Sequence, residues 1–431
     1  MAFTHVTVID GTGAPPHETM TVVVSGDRIR TIAPTPDAAI PEGARVVEAA
    51  GKFLIPGLWD MHVHMVEEGT TLPLYLANGV TGVRDMGGVM DSTLLFRDEI
   101  NRGDRTGPRI VTAGLFVDGP KDAPSRFVVE SAEEARRAAD SLAARGVDFI
   151  KVHNALPREA FLALIERARE HGLHVAGHVP LTGITVEEAV SAGQRSIEHV
   201  TALLESVLPR ESARSIEAAR AALANFYNVD AEPIFTHMIR HGVWFTPTLV
   251  AGRGAALAVD PAYRRDADPR MKYIAPAFHT FWDRHLRQPH DLPATIVEGR
   301  KWVFRQTIEI AREAHEWGVN LLVGTDVGGI SIFPGFSVHE ELELLAEAGL
   351  SPAEALQAAT LNPARYLGAA DSLGTVTVGK LADLVLLNAD PLADIRNTQT
   401  ISAVMVRGRL FARPQLDSLL TDVEAKVRRI S

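Results

Sequence analysis

The chain has 431 residues, 46% hydrophobic and 23% charged, an ordinary balance for a globular protein with a core of its own. It has no cysteine, which excludes disulfides, thiolate metal sites and a cysteine nucleophile and fits a reducing compartment. A formal net charge of −11, with no Lys/Arg-rich run, argues against nucleic acid as a partner, because phosphate binding needs a basic stripe.

Met1 to Gly13 lacks the basic and apolar regions of a secretory signal. No uninterrupted apolar run approaches the roughly 20 residues of a membrane helix. The expectation is a cytoplasmic protein with no membrane partner. Val6 to Asp10, Thr21 to Val24, Arg28 to Ile32 and Arg45 to Glu48 are short, rich in β-branched residues and separated by Gly and Pro turns, the texture of hairpins. From residue 57 the rhythm changes to apolar strands alternating with amphipathic helical stretches, which predicts a parallel sheet with crossover helices. Eight candidate strands end near His64, Arg84, Ala113, Lys151, His178, His199, Thr246 and Asp326. Ala132–Arg145, Arg158–His171 and Thr185–Ala192 are helices between them. Eight βα units predict a closed barrel. The long gaps after His199 and Thr246 call for extra helices or a lid. A further helix, Ala353–Tyr366, is opened by Ser351 as N-cap and Pro352. Gly374 to Val378, Asp383 to Leu387, Ala403 to Val406 and Gly408 to Phe411 return to the β texture of the start. The prediction is an α/β fold: a (β/α)8 TIM barrel over 57–369, a discontinuous β-sandwich from 1–56 and 370–415, and a C-terminal helix over 416–431.

The first barrel strand reads Leu58-Trp59-Asp60-Met61-His62-Val63-His64, and alternation puts Asp60, His62 and His64 on one face. Two imidazoles so spaced reach one metal ion, although alone they would serve equally as half-buried core histidines. Later strands then offer Lys151, His178, His199 and Asp326 near their C-terminal ends, where barrels build active sites. A lone histidine on a strand is usually structural. Six such residues at matching places on five strands point to a metal site.

With His62-Val63-His64, Lys151, His178, His199 and Gly324-Thr325-Asp326, the chain resembles the amidohydrolase superfamily, and within it the imidazolonepropionase-like and prolidase-like hydrolases. Thr81 to Gly87, Ala358 to Ala364 and the closing Gly374-Thr375-Val376 with Gly379 to Val385 extend the likeness over nearly the whole chain. The resemblance implies two divalent ions, with zinc the default for imidazole and carboxylate donors. His62, His64 and Asp326 would hold the more buried ion and His178 and His199 the more exposed one. Lys151 would bridge them as a carbamate, since an ammonium has only donors; its alternative is an ion-pair partner. Two ions roughly 3.5–4 Å apart lower the pKa of a bridging water and polarise a scissile carbonyl. Asp326 would take the proton and pass it to the leaving nitrogen.

Three weaker candidates would bind the small-molecule substrate: His153 (or an exposed loop histidine), Arg84 (or a structural ion pair) and His339 in a glycine-bearing loop after the eighth strand (or a surface histidine). The loop Phe333-Pro334-Gly335-Phe336 could pack on the substrate or on a neighbouring subunit, which leaves a homo-oligomer open. The sequence departs from prolidase-like relatives at His178-Val179-Pro180, where no aromatic hydroxyl is present to meet a substrate carboxylate; N-aryl amides, ureas or carbamates then compete with dipeptides. The leading expectation is hydrolysis of an amide or peptide-like C–N bond. A deaminase is disfavoured by Lys151 and by the lack of a glutamate between His178 and Glu187. Lactone or phosphotriester hydrolysis could use the same centre, and a non-catalytic scaffold would not keep all six ligands.

Overall fold

The computed structural model describes residues 1–65, 68–120, 126–207, 216–227, 231–286 and 292–430. It is a mixed α/β structure with three sheets. The terminal segments share one sheet. Ile401–Val406, Leu384–Leu387, Phe53–Pro56, Ala2–Val8, His17–Ser25 and Arg28–Pro34 lie in that order in one eight-stranded sheet, with Arg409–Ala412 at the far edge. Ala2–Val8 takes two partners in succession, Val46–Glu48 and then Phe53–Pro56. Phe3, Val22, Ile29, Leu54, Leu384 and Met405 form the core of this sheet. Gly374 to Val378, expected as a strand, is irregular chain: Gly374 and Gly379, at its two ends, have φ of 83° and 91°, which interrupts an extended run.

The parallel strands form two sheets. Leu58–Val63, Val80–Asp85 and Arg109–Thr112 make one. Arg126–Val128, Phe116–Asp118, Ile150–Val152, Val175–Gly177, Gln194–Glu198, Trp244–Thr246 and Asn320–Leu321 make the other, in that order. Backbone bonds join the sheets at both sides. Met61 N–H reaches Val323 O at 2.8 Å and His64 N–H reaches Val327 O at 2.9 Å, while Asp148 N–H reaches Thr112 O at 2.9 Å. The eight expected strands are present, but the last is only Asn320–Leu321, and Phe116–Asp118 and Arg126–Val128 are additional.

Helices lie between the strands: Ala132–Ala144, Arg158–Glu170 and Val186–Ala192, the first and third capped by Ser131 and Thr185. The two long gaps hold extra helices, including Val200–Val207, Ala231–Arg240, Leu249–Leu257 and Ala294–Glu316. Ser351 is the N-cap expected of it, and with Glu354 it makes a capping box. The helix expected over 353–366 is instead two, Pro352–Ala359 and Leu361–Tyr366. Pro363 has no N–H to give and its ring crowds the carbonyl four residues back, so the chain breaks at Thr360. The C-terminal helix runs from Arg413 to Ile430, three residues earlier than expected, and Ser431 lies outside the described residues. No helix among the described residues is long and apolar enough to cross a membrane.

Candidate metal centre

Every candidate ligand sits at or just past the C-terminal end of a parallel strand. His62 lies in Leu58–Val63 and His64 follows it; Lys151 lies in Ile150–Val152; His178 follows Val175–Gly177; His199 follows Gln194–Glu198. Asp326 lies in the irregular segment after the last strand, where its N–H donates to His62 O at 2.7 Å. These connections bring residues from distant parts of the chain together. One ligand atom from each of His62, His199 and Asp326 lies within 4.8 Å of the others. The His62 and His199 ring centroids are 4.6 Å apart, as are those of His178 and His199. Asp326 Oδ1 is 3.4 Å from His62 Nε2 and 3.3 Å from His64 Nε2. Gly177 gives Lys151 room: a Cβ there would stand 2.2 Å from Val152 O and 2.9 Å from Lys151 Cδ.

The outer partners of the imidazoles decide how this cluster fits a metal. His62 Nδ1 meets Glu198 Oε2 at 2.9 Å, His64 Nδ1 meets Gly87 O at 2.6 Å, and His178 Nδ1 meets Asn154 Oδ1 at 2.7 Å. His199 Nδ1 meets Thr248 Oγ1 at 2.7 Å, and that hydroxyl donates to Pro247 O at 2.8 Å. A carboxylate, a carbonyl, an amide oxygen and an already-donating hydroxyl can here only accept. Each Nδ1 must therefore carry the proton, which leaves a bare Nε2 lone pair on the neutral rings of His62, His178 and His199, whereas His64 Nε2, facing Asp326, offers one only once its own proton leaves. This is the arrangement by which outer partners orient metal-binding histidines. Lys151 Nζ and His62 Nε2 are buried with no hydrogen-bond partner, a costly state unless a further group meets them. The donor set thus fits divalent ions.

Electrostatics follow the crowding. Burial, reinforced by the charge of Lys151, holds His62 and His178 well below the ordinary histidine pKa. Burial lowers His199 to about 4 and Lys151 to about 8. For Asp326 burial acts upward, but the hydrogen bond from His64 and the charges of His199 and His62 outweigh it and hold the carboxyl well below its usual range. For His64 the order reverses, with Asp326 overcoming burial and raising the imidazole. Three residues here have left-handed backbones, His199, Thr248 and Asp326, with φ of 69°, 51° and 63°. Non-glycine residues in that region cost about 1–3 kcal/mol each and cluster at functional sites.

A cavity of about 1010 Å³ opens above the cluster, and His64, His153, His178, His199 and Asp326 line it. His153 stands with its ring centroid 4.2 Å from that of His178. Its Nδ1 is 3.2 Å from Asp118 Oδ2 but without hydrogen-bond alignment. Arg84 and His339 are not brought to the cavity, which corrects the expectation of substrate contacts. Arg84 is fully buried, donating to Met61 O, Ser196 Oγ and Glu198 Oε1 at 2.6, 3.0 and 2.7 Å. His339 is buried in the helix Phe336–Glu347, bonded to Thr398 Oγ1 and Asn78 O at 2.9 and 3.1 Å. Phe333 is likewise buried, beneath the Arg270 guanidinium at 4.0 Å, so it is not a free patch for a neighbour. Sequence reasoning missed Glu198, Asn154, Thr248 and Asp118. For the first two the available signal was position, since each lies within three residues of a candidate ligand or substrate residue.

The profile of the amidohydrolase family matches residues 53–411. The chain is 24% identical over 431 residues to adenine deaminase 3 of Rhizobium meliloti, covering 94% of this chain but only 56% of that protein. It is 26% identical over 397 residues to the imidazolonepropionase of Pseudomonas putida strain GB-1, covering 88% of this chain and 90% of the relative. A crystal structure from Bifidobacterium longum, provisionally assigned as a prolidase, superposes with a TM-score of 0.74 at 28% identity, covering 98% of both chains. The likeness makes the architecture a TIM-barrel-like α/β fold, in a family that generally uses divalent ions. With a match over most of its length, the chain belongs to the amidohydrolase family and is a hydrolase of that type, acting on carbon–nitrogen bonds.

Proposed function

We propose that the protein hydrolyses an amide or peptide-like C–N bond of a small-molecule substrate at a centre of two divalent ions, zinc by default, held at the mouth of a closed (β/α)8 barrel. The single observation that carries this is the gathering at the strand ends of four histidines, each with Nδ1 held by an outer partner, together with Asp326 and the unpartnered Lys151 Nζ. His62, His64 and Asp326 would hold one ion, and His178 and His199 the other. Lys151, carboxylated on its amine, would present an anionic oxygen to both. The ions, when bound, supply Lewis-acid polarisation of a carbonyl and a lowered pKa for water. Asp326 would accept a proton at a carboxylate oxygen and deliver it to the leaving nitrogen, and its contacts with His62 and His64 fix where that oxygen points. Closure of the barrel is supported by the interstrand bonds and by a buried cluster drawing Trp59 from the first strand, Trp244 from the seventh and Leu322 from just past the eighth. The terminal sheet would then be the discontinuous domain of 1–56 and 370–415 beside a barrel of 57–369.

The test is a panel of dipeptides, N-acyl amino acids, aryl amides and cyclic amines, given to protein reconstituted with zinc and bicarbonate. Products are read by mass spectrometry and metal content by plasma emission. Release of an amine or amino acid that disappears in Asp326→Asn, with near two ions per chain, supports the reading. Ammonia without chain cleavage moves it to deamination, the activity named for the Rhizobium relative. No bound metal under any loading condition sinks it.

A further inference from the structure

Four buried carboxyl groups that are not candidate ligands each accept a backbone N–H beside a residue that is, or beside its outer partner. Asp60 Oδ1 takes the N–H of Thr325 at 3.0 Å, next to Asp326. Asp85 Oδ1 takes that of Met65 at 2.8 Å, next to His64. Asp118 Oδ1 takes that of Ala155 at 2.7 Å, next to Asn154, which holds His178. Glu341 Oε1 takes that of Leu249 at 2.9 Å, next to Thr248, which holds His199. All four are fully buried. Burial strips a carboxyl group of water, a cost offset only by the bonds it then makes. Here those bonds fall on the turns that carry the centre.

Two of the four act on different ions. The segment after the second strand grips His64 from both sides: His64 Nδ1 donates to Gly87 O, and the next N–H, of Met65, goes to Asp85. The Thr112 hydroxyl donates to Asp85 Oδ2 at 2.6 Å and fixes that carboxyl in turn. On the other side of the centre, Leu249–Leu257 begins without a side-chain cap, so its first N–H groups need an acceptor from elsewhere. Glu341, on Phe336–Glu347, gives one oxygen to Leu249 and the other to Val250 at 2.8 Å. Holding two successive N–H groups fixes the turn at Thr248, whose left-handed backbone sets its hydroxyl 2.7 Å from His199 Nδ1. We propose that Asp85 and Glu341 are positioning residues, one for each ion: Asp85 anchors the turn that carries His64, and Glu341 the turn that orients His199. This deepens the two-ion reading above and rests on it. The two sites also differ in what can replace the carboxyl. Glu341 faces two N–H donors, whereas Asp85 faces one N–H and a hydroxyl, which accepts as well as donates. An amide therefore serves at 85 and not at 341.

The experiment measures zinc affinity in two steps by competition with a chelator. His64→Ala and His199→Ala identify which step belongs to which ion, and urea titration reports the fold. Asp85→Ala weakens the His64 step by at least about tenfold and Glu341→Gln the His199 step by as much, each leaving the other step within about threefold. Asp85→Asn retains the His64 step. Leu386→Ala, in the core of the terminal sheet, lowers the urea midpoint and leaves both steps unchanged. Both steps weakened alike, or unchanged zinc binding in either variant, overturns the proposal. So does a loss in Asp85→Asn as large as in Asp85→Ala, because charge rather than the bond to Met65 would then be at work. If one variant does not fold, the other decides; if neither folds, the carboxyls serve the whole fold rather than one ion each, which overturns the proposal too. The two readings fail separately. Ion-selective loss of zinc with no cleavage of any amide strikes the hydrolase reading, whereas two normal zinc steps indifferent to Asp85 and Glu341 strike this one alone.

Discussion

Replacing Arg84 by Met removes a charge while keeping much of the apolar volume, and so tests whether this residue acts through the fold or on a substrate. The guanidinium and the Glu198 carboxylate are both fully buried and meet at 2.7 Å. Arg84 also stands over the Tyr366 ring, 4.8 Å from its centroid. Without it, Glu198 retains only the Ser196 hydroxyl at 2.5 Å and the His62 imidazole at 2.9 Å, and a buried carboxylate is left without its counter-charge. Breaking one side of a buried pair costs about 3–5 kcal/mol, most of it from the stranded charge. With an m-value of about 3 kcal/mol per molar urea, the unfolding midpoint falls by roughly 1–2 M. Adding Glu198→Gln removes the stranded charge and recovers a large part of that loss, which a double-mutant cycle reads directly. The same change loosens the group that orients His62, so metal affinity falls by about 10–100-fold. Tryptophan fluorescence during urea titration measures the first effect and metal titration the second. An unchanged midpoint and metal affinity, accompanied by a raised KM, would refute the reasoning and return Arg84 to the substrate.

Three further changes test other parts of the structure. Asn154→Ala removes the acceptor of His178 Nδ1 at the edge of the cavity and lowers metal affinity by about 10–100-fold with the circular dichroism spectrum unchanged. Gly177→Ala forces a methyl against Val152 O and Lys151, destabilising by about 1–3 kcal/mol and lowering metal content in the fraction that folds. Glu341 is fully buried, accepting the N–H groups of Leu249 and Val250, and burial raises its pKa from 4.5 to about 8. The folded chain therefore binds this proton more tightly than the unfolded one. The stability from this group is full below pH 4.5 and is lost as pH rises toward about 8, and Glu341→Gln flattens the slope in urea titrations across that window.

What could be read from the sequence was whatever a short stretch of chain decides by itself. Strand alternation put His62 and His64 on one face, and the ends of the parallel strands located Lys151, His178 and His199. What could not be read depends on residues far apart in the chain. Arg84 and His339 are polar and well placed in the sequence, but their partners are Glu198 and Thr398, 114 and 59 residues away. Phe116–Asp118 and Arg126–Val128 are three residues each, too short for any periodicity to register.

The left-handed residues were hidden for a different reason. Such a backbone is ordinarily signalled by glycine, which adopts it freely. At 199, 248 and 326 the chain has His, Thr and Asp; His and Asp enter that region more often than most residues, but too seldom for their presence to signal it, and the β-branched Thr hardly at all. Glycine would relieve roughly 1–3 kcal/mol at each position. It would also delete an imidazole, the hydroxyl that fixes it, and the carboxylate at the centre of the cluster. The strain is large beside a net stability of about 5–15 kcal/mol, so it must be imposed by the surroundings. The backbone bonds show how: His199 N–H is tied to Thr246 O at 2.9 Å and Asp326 N–H to His62 O at 2.7 Å, each on the neighbouring parallel strand. The strands therefore do more than carry the ligands. They hold two of them in a conformation the residues would not adopt alone, and that conformation turns the side chains toward one another.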